Sequence, residues 1–504
     1  MKILLTTLNS KYVHSNLALK YLYAAAGESK HSIDLMEFTI NNDDDYIFTE
    51  LIDGGHEVIC FSCYIWNIER ILNLSENIKK ARPEQIIVLG GPEVSFDPDK
   101  FLTEYPYIDM VISGEGEEVF PDLINALLNG EPSLEHIRGL TYREDGEIVM
   151  NPEAKVVDFE KVPFPYLNQA GEPDKILYYE SARGCPYRCS YCLSSIDKKI
   201  RALPFERVKS DLDYFLRNKV KQVKFIDRTF NWDIQRCCDI ISYLIQQDNG
   251  VTNFHFELCG DLIDQELLDI LKEARPGLLQ FEIGVQSTNK ETLAACNRSC
   301  DFERLSASVK AIKEMGNIHL HLDLIAGLPH EDYYSFEKSF NDVYDLAPHH
   351  LQLGFLKLLK GSPIREKEQE HEYIYRKNPP YEVIGNKYIS ATSLVRLKKM
   401  ENILNLYYNR GGFEKALEFA IKNYADTPFD FYEEFAAYYY LKGFQHRSHK
   451  KEDLYRIFLM YGGWKERFVP DTKDKLQELL MEDMENTLNH DAVKKFLNKG
   501  WEMA

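Results

Sequence analysis

Two series of short apolar runs, each alternating with stretches of helical periodicity, limit what this chain can fold into. The first series comprises Lys2–Leu8, His31–Glu37, Glu57–Cys63, Gln85–Gly91 and Tyr107–Glu117, with helices expected near 15–27, 67–81, 98–105 and 117–129. A strand buried on both faces must pair its backbone, and strands joined through helices pair in parallel. Five such strands imply a doubly wound parallel sheet. The second series predicts strands at 176–182, 222–227, 253–258, 278–284, 318–325 and 350–358. Helices are expected between them near 204–218, 233–247, 264–274, 301–315 and 334–346. Six such units predict an open or partial barrel, with ligands at the C-terminal strand ends. Beyond about 371, tyrosine-rich runs such as Leu417–Asp426 and Phe431–Phe444 keep apolar residues at helical spacing and read as core-packed helices.

The length, 504 residues, exceeds what one core accommodates. The expected division is a first sheet domain at 1–129, a connector at 130–172, a barrel at 173–370 and a helical domain at 371–504. Within the connector, Asp145-Gly146 reads as a hairpin turn and the Pro-punctuated run Lys161–Asn168 as extended chain. No apolar run reaches the roughly 18 residues of a membrane helix, so no membrane partner is expected. The N-terminus turns polar too soon for a signal peptide and reads as a first strand, which predicts a cytoplasmic location. A net charge of −20 argues against a long phosphate-tracking surface, and hence against nucleic acid as a partner. The 10 Cys all lie at or before Cys300; a reducing cytosol would keep them as thiols or metal ligands.

The sharpest local signal runs from Ser181 to Cys192: Ser-Ala-Arg-Gly-Cys185-Pro-Tyr-Arg-Cys189-Ser-Tyr191-Cys192. Thiolates select iron–sulfur clusters or zinc. Zinc sites usually offer four ligands, often as two separated pairs. Here three Cys share one short loop after a strand, with no local fourth ligand. On a four-iron cluster three thiolates leave one iron open. The Cys-x3-Cys-x2-Cys spacing, with Arg-Gly before it and Tyr before the last Cys, resembles the radical S-adenosylmethionine (SAM) superfamily. The resemblance implies one [4Fe–4S] cluster on Cys185, Cys189 and Cys192, with SAM chelated at the open iron. An external one-electron reductant would then drive cleavage of SAM to methionine and a 5′-deoxyadenosyl radical.

Further likenesses run to about residue 365. Phe225–Asn231, which contains Asp227 and Arg228, departs from the family's Gly-Gly-Glu segment and is similar to the Asp-rich variant of cobalamin-dependent members. Glu282, Gln286 and Ser287 resemble the strand that supports the ribose and methionyl parts of SAM. Asp323 through Gly327 resembles the segment beside the adenine, and Leu358–Pro363 the end of the sixth strand. With Tyr191 and Glu257, these make the SAM contacts that the resemblance implies.

In the first domain, Ser62 ends one expected strand and Gly90-Gly91-Pro92 the next. Small residues at adjacent strand ends leave room for a bulky ligand tail. With Tyr64 in place of a Leu, these elements resemble the Ser-x-Leu and Gly-Gly elements of cobalamin-binding domains. Ser113–Glu117, with Gly114 and Glu115, resembles the Gly-Glu-Gly-Glu turn of radical SAM proteins that carry such a domain. His14 follows the first strand where some members place a cobalt-ligating His. The Asp and Gly of that motif are absent, so the lower cobalt face is expected to be without a His. Cys60 and Cys63 lie three apart on a strand and face opposite sides, which argues against a redox or metal pair. Cys237, Cys238, Cys296 and Cys300 read as packing thiols.

The expected whole is an α/β chain: a Rossmann-like, cobalamin-type domain, a partial (β/α)6 radical SAM barrel and a helical C-terminal domain of unassigned function. The implied reaction is cobalamin-dependent methyl transfer to an unactivated carbon of a small-molecule or peptide substrate. Alternatives are radical rearrangement or cyclisation with the same cofactors, and a nonenzymatic cluster or cobalamin sensor. A methylthiotransferase-like RNA modifier would want three further cluster Cys and a basic tail, and neither is visible.

Overall fold

The computed structural model describes residues 1–167, 174–197 and 199–501. Strands β1 (Ile3–Asn9), β2 (Ile33–Thr39), β3 (Val58–Ser62), β4 (Ile86–Gly90) and β5 (Met110–Ile112) pair in parallel in the order β2-β1-β3-β4-β5. Every residue of β1 and β3 is buried because helices cover both faces. Helix Ile68–Ala81 turns Ile71, Leu74 and Ile78 onto one of these faces. A further helix, Asp44–Asp53, was not expected. Its signal is the acidic run before it: Asp43 caps it by accepting from the amides of Asp45 and Tyr46.

The hairpin at Asp145-Gly146 forms as expected, with both residues at positive φ, the geometry of a type I′ turn. Its strands, β6 (Leu140–Glu144) and β7 (Glu147–Met150), extend the first sheet. β6 lies antiparallel against β5, which makes the sheet seven-stranded and mixed. Three-residue β5 would otherwise be an unpaired edge. The extended run of the connector ends at Asn168, outside the described residues.

All six strands of the second series are present: β8 (Leu177–Tyr179), then β11 (Gln222–Phe225), β12 (Asn253–Leu258), β13 (Leu279–Gln286), β14 (His319–Ala326) and β15 (His350–Phe355). They pair in parallel in sequence order, with no pairing between β8 and β15 among the described residues. The first strand is shorter than expected. At Ala182–Arg183 (β9) the chain pairs instead with Arg201–Ala202 (β10), an antiparallel ribbon that closes the base of the cysteine loop.

Past the barrel, a ribbon of β16 (Ile374–Tyr375) and β17 (Val383–Gly385) precedes the expected helices. These are Ala391–Ile403, running on as a π-turn over Leu404–Asn409, then Glu414–Tyr424, Pro428–Leu441, Lys451–Lys465, Lys473–Thr487 and His490–Lys499. Their aromatic residues are core: Tyr407, Phe435, Phe458 and Tyr461 are fully buried against one another. The same core runs on into the barrel, where Phe340 meets the rings of Phe429 and Tyr432. Among the described residues no helix is long and apolar enough to cross a membrane.

Candidate functional site

The cysteine loop leaves the barrel at its C-terminal strand ends. Gly184, at φ +90°, permits the loop to start: a Cβ there would lie 2.5 Å from the Lys199 carbonyl oxygen. The loop is then pinned by backbone hydrogen bonds from Ser190 N to Cys296 O and from Ile364 N to Ser190 O, both 2.9 Å. Asp227, at the end of β11, accepts from Ser181 N at 2.7 Å and from Ser181 Oγ at 2.5 Å. Burial pushes its pKa up to about 7, against these two hydrogen bonds. Its carboxyl therefore fixes the approach to the loop. Cys185 and Cys189 are buried and Cys192 half-buried, all as free thiols. Among the described residues, no three His, Cys, Asp or Glu side chains close around a single ion.

Two neighbours of the loop were not legible in the sequence. Arg298 reaches back to place Nη1 3.7 Å from Cys189 Sγ and 3.3 Å from Tyr191 Oη, and it donates to the Gly284 carbonyl. Thr229 Oγ1 stands 3.5 Å from Cys185 Sγ. Cys259 also approaches, but burial pushes its thiol up to about 12, and it donates to Asp261.

Three adjacent strands carry the acids expected at SAM. Glu257 and Glu282 are register partners on β12 and β13, and Gly284 pairs with Asp323 on β14. Burial alone would raise the pKa of Glu282. The hydrogen bond with His255 at 3.0 Å and the Lys224 ammonium at 2.9 Å outweigh it and hold the carboxylate below its usual range. Glu257 has the Lys224 ammonium only at 3.9 Å, and burial raises its pKa. A register shift between Gly284 and Gln286 leaves Gln286 at φ +71°, with its buried Oε1 unpartnered. Asp323 Oδ1, at the same rim, lies 2.9 Å from His321 Nε2. An unsatisfied buried amide oxygen on a left-handed residue at this rim marks a ligand position. Ser287 is turned away into a network with Glu331 at 2.5 Å. Gly327 offers its carbonyl to Tyr373 and Asn386 of the C-terminal segment.

The first sheet faces this rim. A cavity of about 680 Å³ lies between the ends of β1, β3, β4 and β5 and the cysteine loop. Its wall includes all the residues expected at cobalamin. His14, Ser62, Tyr64 and Gly90 line it, as do Gly91, Pro92, Gly114 and Glu115. Gly184, Leu193, Ser194 and Arg228 line it from the barrel side. Ser62 and Gly90 are register partners, as the two strand ends required. Gly91 is small for another reason than ligand room: a Cβ there would meet the Cys63 carbonyl oxygen at 2.5 Å, so the chain's own backbone demands it. At Gly90 the nearest atom to a Cβ would be 3.8 Å away, so no packing contact demands a glycine at this cavity wall. Tyr64 stacks on Trp66 at 4.5 Å between ring centroids, giving the cavity a flat aromatic wall. Cys60 and Cys63 pack into the cores on opposite faces of the sheet.

Comparison with known proteins finds matches to three parts of the chain. Residues 3–124 match the B12 binding domain and residues 179–343 the Radical SAM superfamily. The chain is a radical SAM protein with a B12-binding domain. Residues 369–503 match a family described as a protein of unknown function, DUF4080. This radical SAM protein is 27% identical over 370 residues to the cobalamin-dependent radical SAM methyltransferase TokK of Streptomyces tokunonensis. It is 25% identical over 356 residues to the 2-(S-pantetheinyl)-carbapenam-3-carboxylate methyltransferase of Streptantibioticus cattleyicolor. The matches cover 66% and 65% of this chain but 51% and 52% of those relatives, so it spans about half their length. Among solved structures, the cobalamin-dependent SAM radical enzyme OxsB superposes over 100% of this chain and 84% of its own, with a TM-score of 0.64 and 16% identity. The shared fold therefore includes the C-terminal helices.

These domain types imply a [4Fe–4S] cluster with SAM and, ahead of them, cobalamin. The residues present fit all three: three soft thiols in one loop, the unpartnered Gln286 amide oxygen at a strand end beside it, and a glycine opening at Gly90 that no protein packing requires. Sheet and barrel are fastened around the cavity by charge. Arg183, two residues before Cys185, pairs with Glu115, Glu117 and Glu180, and Arg201 pairs with Glu115 and Asp197. Glu115 thus has its carboxylate engaged by arginines at the cavity edge. Burial would raise its pKa; the Arg201 hydrogen bond outweighs that and lowers it. On the other side, Glu93 accepts from Tyr381 Oη at 2.7 Å, and Lys360 donates to its backbone carbonyl. His14 Nδ1 is tied to Tyr178 Oη at 2.7 Å, which supplies the orienting partner its motif lacks. Burial, with nearby lysines, lowers its pKa.

Proposed function

We propose that this protein is a cobalamin-dependent radical SAM methyltransferase acting on an unactivated carbon of a small-molecule or peptide substrate. The observation that carries this reading is the cavity bounded at once by the strand ends of the B12-type sheet and by Gly184 and Leu193, which flank the cysteine loop on either side. Methyl donor and substrate radical must meet without crossing solvent, and one shared chamber meets that demand. When bound, the cluster supplies the electron that cleaves SAM to a carbon radical, and cobalamin carries the methyl group.

The chain's residues bind and orient. Cys185, Cys189 and Cys192 would hold the cluster, with the Arg298 guanidinium offsetting its negative charge. Gln286 would present an acceptor to SAM hydroxyl or ammonium hydrogens, with Asp323 beside it held by His321; Glu282 stays ionised between His255 and Lys224, and Tyr191 lies in the cluster loop. Ser62 and Gly90 would admit the cobalamin tail, and Tyr64 and Trp66 would flank it. His14, neutral and held by Tyr178, would line the chamber. The Arg183 and Arg201 ion pairs keep sheet and barrel closed, which excludes water from a radical. An external one-electron reductant would be the redox partner, and the cytoplasm the compartment.

The test is anaerobic turnover of reconstituted protein with a reductant and a candidate substrate pool. The expected outcome is 5′-deoxyadenosine, S-adenosylhomocysteine and a product heavier by one methyl group. A product of unchanged carbon count, with 5′-deoxyadenosine released, would replace methyl transfer by rearrangement or cyclisation. No 5′-deoxyadenosine with a verified substrate would leave only a sensor.

A further inference from the structure

A second cavity, of about 520 Å³, lies within the C-terminal helices, a size typical of small-molecule pockets, which run from about 300 to 1,000 Å³. Its wall is formed by the end of the helix and π-turn that run from Ala391 to Asn409, by Tyr439 and Tyr440, and by the segment Gln445–His449. The chain carries 80 acidic residues against 60 Lys and Arg, yet no Asp or Glu lines this cavity, whereas Arg410 and Arg447 both do. Neither guanidinium has a carboxylate partner among the described residues. Arg183 and Arg201, by contrast, each hold at least two.

Two more lining groups are left unsatisfied. Gln445 Oε1 and His449 Nδ1 are buried without a hydrogen-bond partner. His449 Nε2 donates to the Phe444 carbonyl at 2.7 Å, so in the neutral ring Nδ1 is an acceptor. The cavity therefore pairs two fork-shaped cationic donors with two acceptors that ask for hydrogen. Asn402 and Ser448 add further polar groups to its wall. The guanidiniums match the oxygens of a phosphate or carboxylate; the acceptors match hydroxyl hydrogens on the same ligand.

We propose that this cavity binds a small organic anion with a phosphate or carboxylate head and a hydroxyl-bearing body. The site stands on its own residues and does not rest on the function proposed above. Its wall is joined to the barrel: Asn409 exchanges two 2.9 Å hydrogen bonds with the Leu351 backbone on β15.

The experiment is calorimetric titration of the full chain at fixed ionic strength with ribose 5-phosphate and gluconate, and with inorganic phosphate and ribose as controls. The expected result is saturable one-site binding of one of the first two, at least about tenfold tighter than either control; which of the two binds identifies the head group. Arg410→Gln and Arg447→Gln should each weaken that binding about tenfold, the loss of one charge-assisted hydrogen bond. Arg447→Lys should recover part of it. Both arginines are exposed, and an unchanged melting temperature and iron content would show that the variants fold. The proposal is overturned if neither organic anion binds better than the controls. It is equally overturned if the double variant binds as the wild type does.

Discussion

Gly90→Leu separates a glycine kept for a ligand from one kept for the chain. A Cβ at Gly90 would have its nearest neighbour, Ile112 Cβ, at 3.8 Å, an ordinary contact. Removing a strand glycine also gains roughly 0.5–1 kcal/mol of backbone entropy. Gly90→Ala should therefore leave the melting temperature unchanged or slightly raised. At Gly91, φ is +109° and a Cβ would lie 2.5 Å from the Cys63 carbonyl oxygen, so Gly91→Ala should lower stability and with it everything the domain binds. Leu at position 90 projects its branched end into the 680 Å³ cavity. Overpacking a filled site costs about 1–3 kcal/mol, or roughly five- to 150-fold in affinity. The assay is cobalamin retained after anaerobic reconstitution, read by absorbance and set against iron content and melting temperature. Cobalamin should fall by at least about fivefold while iron stays at the wild-type level. Wild-type cobalamin retention in Gly90→Leu would refute the reasoning, as would equal losses of iron and cobalamin.

Cys185→Ala, Cys189→Ala and Cys192→Ala should each abolish an iron complement of about four per chain, since three thiolates are the whole protein ligand set. Cys60→Ala and Cys237→Ala should leave it intact; a full cluster in any of the first three contradicts the assignment. Arg298→Gln should lower cluster retention and cost about 1–3 kcal/mol, because the Gly284 carbonyl and Tyr191 lose a cationic donor; iron analysis and thermal melts check both effects. Burial lifts the pKa of Glu331 from 4.5 to about 7, against hydrogen bonds from Ser287 and Ser339. A raised acid pKa means the folded state holds the proton more tightly. The contribution of Glu331 to stability is then greatest below pH 4.5 and falls by about 3 kcal/mol as pH rises through 7. Glu331→Gln should remove that slope in denaturant titrations at successive pH values, and an unchanged slope would assign it elsewhere.

Periodicity and spacing made much of this legible. The alternation of apolar runs and helical stretches placed all eleven main strands, because each strand's pattern is set by burial between helices on both faces. The cysteine loop was readable because thiol chemistry is local: three thiols in eight residues need no distant partner to be recognised. Gly184 is local too, its φ fixed by the turn it must make.

What the sequence left undecided is what depends on distance through space. Arg298 is more than one hundred residues from Cys189 and carries no motif; only the return of the chain after β13 brings it beside the thiol. The hairpin looked like part of a connector, and it became the edge of the first sheet because β5 was too short to stand unpaired. Gly90 and Gly91 read as an equivalent pair, yet the fold gives one to the cavity and the other to the Cys63 backbone. The helices beyond residue 371 announced a core but not whose; packing of Phe429 and Tyr432 on Phe340 joined that core to the barrel. The sequence by itself determined the main strands, most helices and the three thiols of one loop, because these follow from neighbours along the chain. Tertiary structure alone decided which charges face each other, which glycines are free and where a shared chamber opens, because those depend on residues far apart in sequence.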